Sequence, residues 1–362
     1  MAIHSEASLV DYATSIDLAM ALNQVTVFQL PTEAGTHFPG QRLAPEAILE
    51  GKVHGASLHS GLRRSLQDAG FEVRDGPDLL AELPTELTTW KPDPHIAHGA
   101  RNHNNALQVC TAIADGLGSL PASTGWSTSP SSDTFDIFLG GDCSITPAIL
   151  TGLHRLANKS THQPKIGILY MDGDVDLTLP CNDPFKADGS SYILDSMVLT
   201  HLTQRPGGLD SMSTFVQPDG SPLVNNENIV LFGFDPLQPS AEHFTYLLEQ
   251  RFKSFSRPTV RADSTGSAKA ALDWLKERVD VILLHFDVDV IDSGDFPLAN
   301  YPHYAGVQAG EAWDAVKVFL EEEMVRGVVV TEVNPNNDPE GWMVKDLVNA
   351  LTDGLAERSK LG

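Results

Sequence analysis

Short apolar runs alternate along the chain with longer segments whose apolar residues recur at helical spacing. The apolar runs predict strands at 25–30, 71–75, 135–142, 166–172, 228–235, 281–289 and 327–333. The helical spacing predicts helices at 45–70, 97–120, 240–252, 268–280, 310–324 and 341–359. Strands that are apolar throughout and alternate with helices are typical of a parallel sheet covered on both faces. The predicted fold class is therefore α/β, a three-layer α/β/α arrangement with a mainly parallel sheet.

The chain shows no break in composition and no internal repeat, so residues 1–362 are predicted to form a single α/β domain. A Ser/Thr/Pro-rich stretch at 121–134 is predicted to be a surface loop. No run approaches the roughly 18 apolar residues of a membrane span. The first 20 residues lack the basic start and apolar centre of a secretory signal.

Charge and cysteine content narrow the function classes. The chain has 48 acidic and 24 basic residues, a formal net charge of -24. This charge argues against binding to nucleic acid or to an anionic membrane, because both need a basic face. It is compatible with a cationic small-molecule substrate or with metal ions. Cys110, Cys143 and Cys181 form neither a disulfide framework nor a Cys-x-x-Cys site, which predicts a soluble, cytoplasmic protein with reduced thiols.

Acidic residues gather where predicted strands end. Two clusters follow apolar runs, the triplet Asp172, Asp174 and Asp176 and the pair Asp287 and Asp289. Alternate residues of a strand point to one face, so the carboxylates of each cluster would share a small volume and repel one another. Carboxyl ends of parallel strands lie at the same edge of a sheet, where ligands bind. A pair of divalent cations would neutralise both clusters and activate a shared water.

Two further strand ends carry acids, Asp142 after a Gly-Gly pair and Glu332. A single Asp-x-Asp is usually a solvated loop or a helix cap, but two clusters with these two acids in one sheet indicate a metal site. An EF-hand starting at Asp172 is excluded, because Leu177 stands where the loop needs Gly. No G-x-G-x-x-G opens a helix, and no G-x-S-x-G nucleophile elbow occurs.

The chain resembles the ureohydrolases, the arginase/agmatinase family, in four motifs of matching order and spacing: 139-LGGDCS-144, 172-DGDVD-176, 286-FDVDVID-292 and 332-EVNP-335. The resemblance covers most of the chain, from 39-PGQRLAPEAI-48 to the last predicted helix. It implies a three-layer α/β/α fold, a centre of two Mn²⁺ ions and hydrolysis of guanidine or amidine C–N bonds. It also implies a homo-oligomer, a trimer or a hexamer.

Carried over by position, the resemblance implies metal ligands at Cys143, Asp172, Asp174, Asp176, Asp287 and Asp289. Glu332 would pair with a guanidinium, and Asp142 would support the metal ligands without binding a metal itself. Both histidine ligands of the family are replaced here, one by Cys143 and one by Asp174. Five aspartates carry -5 against +4 from two divalent ions, a surplus of -1. Carboxylates favour hard ions such as Mn²⁺ or Mg²⁺, whereas a Cys143 thiolate would favour softer metals. Cys143 is either a ligand or a small buried thiol that binds nothing.

The segment 177–197 departs from the arginase pattern. By position, Thr178 and Ile193 replace two Asn residues that hold the amino acid in arginases, and only Ser191 is kept. An Ile cannot receive a carboxylate, which argues against free L-arginine as substrate. Asp195 stands where the family has a proton-shuttling His. It is either a shuttle with a raised pKa or a plain helix N-cap.

Four histidines lie near predicted strand ends, namely His98, His103, His285 and His303. Each could assist the reaction, but taken singly each is expected to be structural or at the surface. His303 is assigned to the substrate site because its loop, 298-LANYPHYAG-306, is predicted to rim the pocket. Tyr301 and Tyr304 of that loop would shape an apolar or aromatic pocket.

The leading hypothesis is a binuclear metal hydrolase. A hydroxide bridging two ions, most simply Mn²⁺, would attack a guanidino, amidino or amide carbon of a compound other than free L-arginine. Its catalytic residues would be Asp174 as a metal ligand, Glu332 as the partner of the cationic end and Asp195 as the proton donor to the leaving amine. The alternative is an inactive ureohydrolase-like binding or regulatory protein. A deacylase-like hydrolase with one metal is a third reading.

Overall fold

A single parallel sheet organises the protein. The computed structural model describes residues 22–91, 99–121, 126, 134–159, 163–181 and 192–361. The strands in these residues are β1 Gln24–Gln29, β2 Lys52–Val53, β3 Ala56–Ser57, β4 Glu72–Asp75, β5 Thr134–Leu139, β6 Ile166–Met171, β7 Ile229–Phe232, β8 Lys253–Phe255, β9 Val281–Asp287 and β10 Val325–Thr331. Eight of them form one sheet in the order β4-β1-β5-β10-β9-β6-β7-β8. Every neighbouring pair in it is parallel.

Helices connect the strands. They are α1 Ala44–Glu50, α2 Gly61–Asp68, α3 Thr85–Thr88, α4 His103–Ser119, α5 Thr146–Ala157, α6 Val198–Leu202, α7 Ala241–Gln250, α8 Arg257–Ala262, α9 Ser264–Lys276, α10 Ala309–Glu321 and α11 Trp342–Leu361. Within the described ranges, no helix combines the length and the apolar character needed to cross a membrane.

Apolar side chains from the two faces of the sheet form two separate cores. One core contains side chains from α1, α2, α9, α10 and α11, and the other contains side chains from α4, α5, α6 and α7. Strands β6, β9 and β10 are buried along their whole length, which explains why most of their residues are apolar. The predicted three-layer α/β/α fold with a parallel sheet is confirmed.

Some predicted elements are wrong in detail. The helix predicted at 45–70 is two helices, α1 and α2, separated by the β2–β3 hairpin. Gly51 ends α1 with a φ of 65°, and a Cβ there would lie 2.2 Å from the His59 carbonyl oxygen. Only Gly fits this close approach, so the apolar spacing across it does not continue one helix. The loop predicted at 121–134 contains two described residues before β5, Pro121, which is exposed, and Trp126, whose side chain is buried rather than at the surface.

The order of the strands brings the acidic clusters together. Strands β5, β10, β9 and β6 are neighbours in the sheet, although β5 and β6 precede β9 and β10 in the chain. The register pairs Thr331 with Asp287 and Met171 with Phe286. Asp172, Asp287 and Glu332 therefore meet at the carboxyl edge of the sheet, where ligands bind in such folds.

Candidate active site

A cavity of about 440 Å³ opens at the carboxyl ends of β5, β10, β9 and β6. Most of the predicted site residues line this cavity. They are Cys143, Asp174, Asp176, Thr178, Asp195, Asp287, Asp289 and Glu332. Asp172 lies beneath these residues and is 2% exposed. Ser191 and His98 lie outside the residues that the structure describes.

Local hydrogen bonds hold the triplet Asp172, Asp174 and Asp176 that follows β6. The Asp174 amide donates to Asp172 Oδ1 at 2.7 Å, and the Tyr170 hydroxyl donates to Asp176 Oδ2 at 2.5 Å. Asp176 has a φ of 44°, an uncommon backbone conformation for a residue other than Gly. Asp172 Oδ2 is buried and accepts no hydrogen bond. Burial raises the pKa of Asp172 well above its ordinary value, and the negative charge of Asp289 raises it further.

The pair at the end of β9 is linked to this triplet by a hydrogen bond from the Gly173 amide. The Asp289 amide donates to Asp287 Oδ1 at 2.7 Å, and the Gly173 amide donates to Asp289 Oδ1 at 3.0 Å. Burial raises the pKa of Asp287 well above its ordinary value, with further contributions from Asp289 and Asp172. The two Asp-x-Asp clusters therefore form one volume of buried carboxylates.

Cys143 directs its thiol into these carboxylates. Its Sγ donates to Asp287 Oδ2 at 2.7 Å and lies 2.9 Å from Thr331 Oγ1 and 3.5 Å from His285 Nε2. Burial and the neighbouring acids, Asp287 first among them, raise the pKa of the thiol well above its ordinary value. The side chain is thus placed as a ligand would be, with its sulfur next to carboxylates.

His285 is fully buried in the same cluster. Its Nε2 lies 3.6 Å from Asp172 Oδ2, and its Nδ1 lies 3.0 Å from Thr146 Oγ1. The ring stacks on Tyr170, its partner in the β6–β9 register, with centroids 4.4 Å apart. Burial lowers the pKa of His285 to about 3, so the imidazole is neutral. From the sequence, His285 is expected to be structural or at the surface, and it is not among the predicted metal ligands.

Asp195 and Glu332 form a second acidic pair beside Cys143. The Cys143 amide donates to Asp195 Oδ1 at 2.8 Å and to Glu332 Oε1 at 3.2 Å. Burial raises the pKa of both carboxyls well above their ordinary values, and their mutual proximity adds to the shift of Glu332. Asp195 does begin a short 3-10 turn, but its carboxylate accepts from this distant amide instead of capping its own turn. The plain N-cap reading of Asp195 is therefore wrong.

Asp142 supports the backbone around the site. Its carboxylate accepts from the Gly35 amide at 3.1 Å and from the Ser144 amide at 3.1 Å, and the Ser144 hydroxyl also donates to it. These contacts join the loop before α1 to the turn that carries Cys143. Asp142 thus positions other residues and does not line the cavity.

His303 does not rim the cavity, which differs from the predicted placement. The side chain is buried, with Nε2 3.2 Å from Asp289 Oδ2 and 3.9 Å from Asp174 Oδ2. Burial alone would lower the pKa of His303, but Asp289 outweighs it and raises the pKa to about 9. Tyr301 lines the cavity as expected, whereas Tyr304 is 76% exposed and lies outside the lining.

Several lining residues gave no signal in the sequence. The loop before α1 contributes Thr36, His37 and Phe38. Asn300 and Pro302 also line the cavity, from the loop 298–306 that is predicted to rim it. They are ordinary residues in irregular segments, and only the folded chain brings them to the cavity. Ile193 lines the cavity as well, in agreement with its assigned position.

The α/β/α fold and the convergent strand-end acids place the chain in the class of ureohydrolase-type proteins. The sequence matches the arginase family over residues 23–353. An arginase of Bacillus caldovelox is 26% identical over 320 residues, which cover 87% of this chain and 92% of that protein. This chain belongs to the arginase family, and the resemblance seen in its motifs is confirmed.

Solved structures agree on the fold. The arginase of Entamoeba histolytica in complex with L-ornithine superposes with a TM-score of 0.70 at 18% identity, covering 92% of this chain and 99% of that one. Formimidoylglutamase of Bacillus subtilis superposes with a TM-score of 0.58 at 16% identity, covering 94% and 88%. One fold therefore includes proteins named for different substrates, and the fold alone does not define the substrate of this chain.

Proposed function

We propose that the protein is a metal-dependent hydrolase that cleaves a C–N bond of a guanidino, amidino or amide compound other than free L-arginine. Members of the arginase family are hydrolases that act on C–N bonds and use a binuclear metal site. The observation that carries the proposal for this chain is the convergence of five carboxylates in one volume, with Asp172, Asp287 and Asp289 buried and Asp174 and Asp176 partly buried.

The donor groups fit divalent cations. A buried carboxylate needs a proton, hydrogen bonds or a cation, and Asp172 Oδ2 has no hydrogen-bond partner. Following the family positions, one ion would be held by Cys143, Asp172, Asp176 and Asp287, and the other by Asp172, Asp174, Asp287 and Asp289. When bound, such a pair lowers the pKa of a shared water and so supplies the nucleophile.

Glu332 and Asp195 are placed to bind the cationic end of a substrate. Their carboxylates adjoin each other, and the Cys143 amide holds one oxygen of each. A guanidinium or amidinium presents parallel N–H groups that match such acceptors. Binding this cation would displace the proton that a buried carboxyl pair retains. Asp195, now ionised, would accept the proton that the attacking water loses and pass it to the leaving amine.

The mouth of the cavity favours an uncharged remainder of the substrate. Phe38 is 47% exposed and Tyr301 is 52% exposed there, and Ile193 also belongs to the lining. Among the described lining residues there is no Lys or Arg to bind an α-carboxylate. These features support an apolar or aromatic group next to the reacting carbon, and they argue against free L-arginine.

The test is a metal analysis followed by a substrate screen. Protein purified without chelator is analysed for Mn, Fe, Co, Ni, Zn and Mg per chain, then incubated with guanidino, amidino and amide compounds while amine or urea release is measured. About two ions per chain and turnover of at least one compound are expected, with turnover lost in Asp287→Asn and retained in Asp273→Asn, an exposed aspartate on α9. Bound ions without turnover of any compound would refute the proposal and support a binding protein.

The homo-oligomer implied by the family, a trimer or hexamer, stays a prediction for this chain. Light scattering of the purified protein measures its mass directly, against 39.1 kDa for one chain.

A further inference from the structure

Four donor groups of different chemistry converge between the ends of β5, β6 and β9. The ligand atoms of Cys143, Asp172, His285 and Asp287 all lie within 4.8 Å of one another, and all four side chains are buried. Two members follow from the family motifs by position, namely Asp172 and Asp287. Cys143 stands where the family has its first histidine, and His285 lies one step further inside β9, outside every position carried over from the family.

Two of the distances among these atoms match the edges of a tetrahedral metal site. The edges of a tetrahedron measure roughly 3.3–3.8 Å when the metal–ligand bonds are about 2.0–2.3 Å. Cys143 Sγ lies 3.5 Å from His285 Nε2, and His285 Nε2 lies 3.6 Å from Asp172 Oδ2. The shorter contact of 2.7 Å from Sγ to Asp287 Oδ2 is a thiol hydrogen bond, which a cation would replace. Asp172 Oδ2, the oxygen nearest the imidazole, is the buried atom without a hydrogen-bond partner.

His285 is held as metal-binding histidines are held. Its other ring nitrogen, Nδ1, contacts Thr146 Oγ1 at 3.0 Å, and the ring stacks on Tyr170. A hydrogen bond from the distal nitrogen fixes the tautomer and the ring orientation of a ligating imidazole. With Nδ1–H donating to Thr146, the lone pair of Nε2 points into the cluster.

We propose that Cys143, Asp172, His285 and Asp287 form one of the two metal positions, with His285 as a ligand in place of the Asp176 that the family positions assign there, and that this position selects Zn²⁺ over Mn²⁺. Cys143 stands at the sequence position of a family histidine ligand, and the imidazole of His285 supplies the missing nitrogen ligand in the folded site. The inference rests on the proposed function, because it concerns the same centre. Thiolate and imidazole donors favour Zn²⁺ or Co²⁺, whereas Mn²⁺ prefers carboxylates and water. Binding deprotonates the thiol and releases its proton to solvent.

The probe for this site is Co²⁺ added to metal-free protein. Thiolate coordination gives a near-ultraviolet sulfur-to-cobalt charge-transfer band, and tetrahedral geometry gives intense visible bands. We expect both bands to saturate with the first equivalent of Co²⁺. Competition titrations should show Zn²⁺ binding at least about 100-fold more tightly than Mn²⁺ at this position. Weak visible bands without charge transfer, or equal affinities for the two metals, would refute the proposal without any variant.

Two variants assign the ligands. Cys143→Ser should remove the charge-transfer band, and His285→Gln should weaken Zn²⁺ binding by at least about 10-fold while retaining the band. His154→Gln is the matched control, since His154 is a buried histidine on α5 away from the cluster. Circular dichroism checks that each variant is folded. A spectrum and Zn²⁺ affinity of His285→Gln identical to those of the wild type would remove His285 from the site.

Failure of this inference is distinguishable from failure of the proposed function. Turnover without the cobalt–sulfur band leaves the hydrolase standing and refutes the Cys143–His285 site. The band with no turnover of any compound supports the metal site and refutes the hydrolase.

Discussion

The side-chain amide of Gln41 donates a hydrogen bond to the Glu332 carboxylate, across 291 positions of sequence. Both side chains are buried, and Gln41 Oε1 has no hydrogen-bond partner. Glu332 adopts a φ of 64°, a conformation that costs free energy for a residue other than Gly. The contact holds one oxygen of the carboxylate, and the Cys143 amide holds the other. Gln41 is therefore a positioning residue for the group proposed to bind the substrate cation.

Replacing Gln41 with Leu should destabilise the protein by about 1–3 kcal/mol, because Glu332 loses a buried donor. Denaturant unfolding measures the change in the free energy of unfolding. Gln108→Leu, which alters an exposed amide on α4, should stay within about 0.5 kcal/mol of the wild type. Equal stabilities of Gln41→Leu and the wild type would show that Glu332 does not depend on this amide.

Replacing Glu332 with Gln should lower kcat/KM for a cationic substrate by about 10–150-fold, the equivalent of roughly 1.5–3 kcal/mol for a charged hydrogen bond. The metal content should stay unchanged, because Glu332 is not one of the proposed ligands. Steady-state kinetics and elemental analysis of the same preparation separate the two effects. Glu340→Gln, at an exposed position, is the control. Loss of metal together with activity would assign Glu332 to the metal centre instead.

Removing metal should lower the unfolding temperature. The native state binds the ions through convergent side chains that the unfolded chain does not hold together, so metal stabilises by about 4 kcal/mol at a thousand times Kd. Calorimetry after dialysis against EDTA should show a lower unfolding temperature, and adding Zn²⁺ and Mn²⁺ should raise it again. Asp172→Asn should respond less to added metal than the wild type. An unfolding temperature that ignores both chelator and metal would contradict a bound pair.

The free energy of unfolding should fall as pH rises from about 4 to about 7, because one buried group outside the site, Asp136, changes its protonation on unfolding. Its carboxyl accepts from Trp126 Nε1 at 2.7 Å, and burial raises its pKa to about 7. The folded state thus retains a proton that the unfolded chain releases near pH 4, and the lost stability levels off above pH 7. Asp136→Asn removes this ionisable group. Its free energy of unfolding should therefore rise relative to that of the wild type across this window, by at most about 4 kcal/mol.

Denaturant unfolding of the wild type and Asp136→Asn at pH 5 and pH 8 measures this difference. The metal centre is the same in both proteins, so its contribution to the pH dependence cancels in the difference between their free energies of unfolding. Asp273→Asn should show no change in its difference from the wild type between the two pH values. A pH-independent difference for Asp136→Asn would mean that Asp136 is ionised in the folded protein throughout.

The sheet and the acidic clusters were predictable because they depend on local patterns. A fully buried parallel strand is mostly apolar, so the apolar runs of β6, β9 and β10 stand out in the sequence. Acids directly after such strands must lie at the carboxyl edge. The hairpin inside the predicted helix 45–70 was missed, since two short helices that face the same core repeat the same apolar spacing on either side of Gly51.

The partners of the site residues were less predictable, because they depend on strand order and loop paths. Asp195 contacts Cys143 across 52 residues, and Gln41 contacts Glu332 from the other end of the chain. His285 carried a usable signal. It precedes Asp287 by two residues on a strand, and alternate residues share a face. Only the β6–β9 register, which sets it beside Tyr170, shows that this face meets Asp172.

The strand order also has a consequence for biosynthesis. Strands β9 and β10 lie between β5 and β6 in the sheet but leave the ribosome after both. Until residues 281–331 are synthesised, Cys143 and Asp172 belong to two sheet segments with a two-strand gap between them. Insertion of late strands into the middle of a sheet closes long loops and is slow. Under the proposed function, capture of the cations therefore requires the synthesis of β9, and ribosome-bound chains that end before β9 should take up no metal.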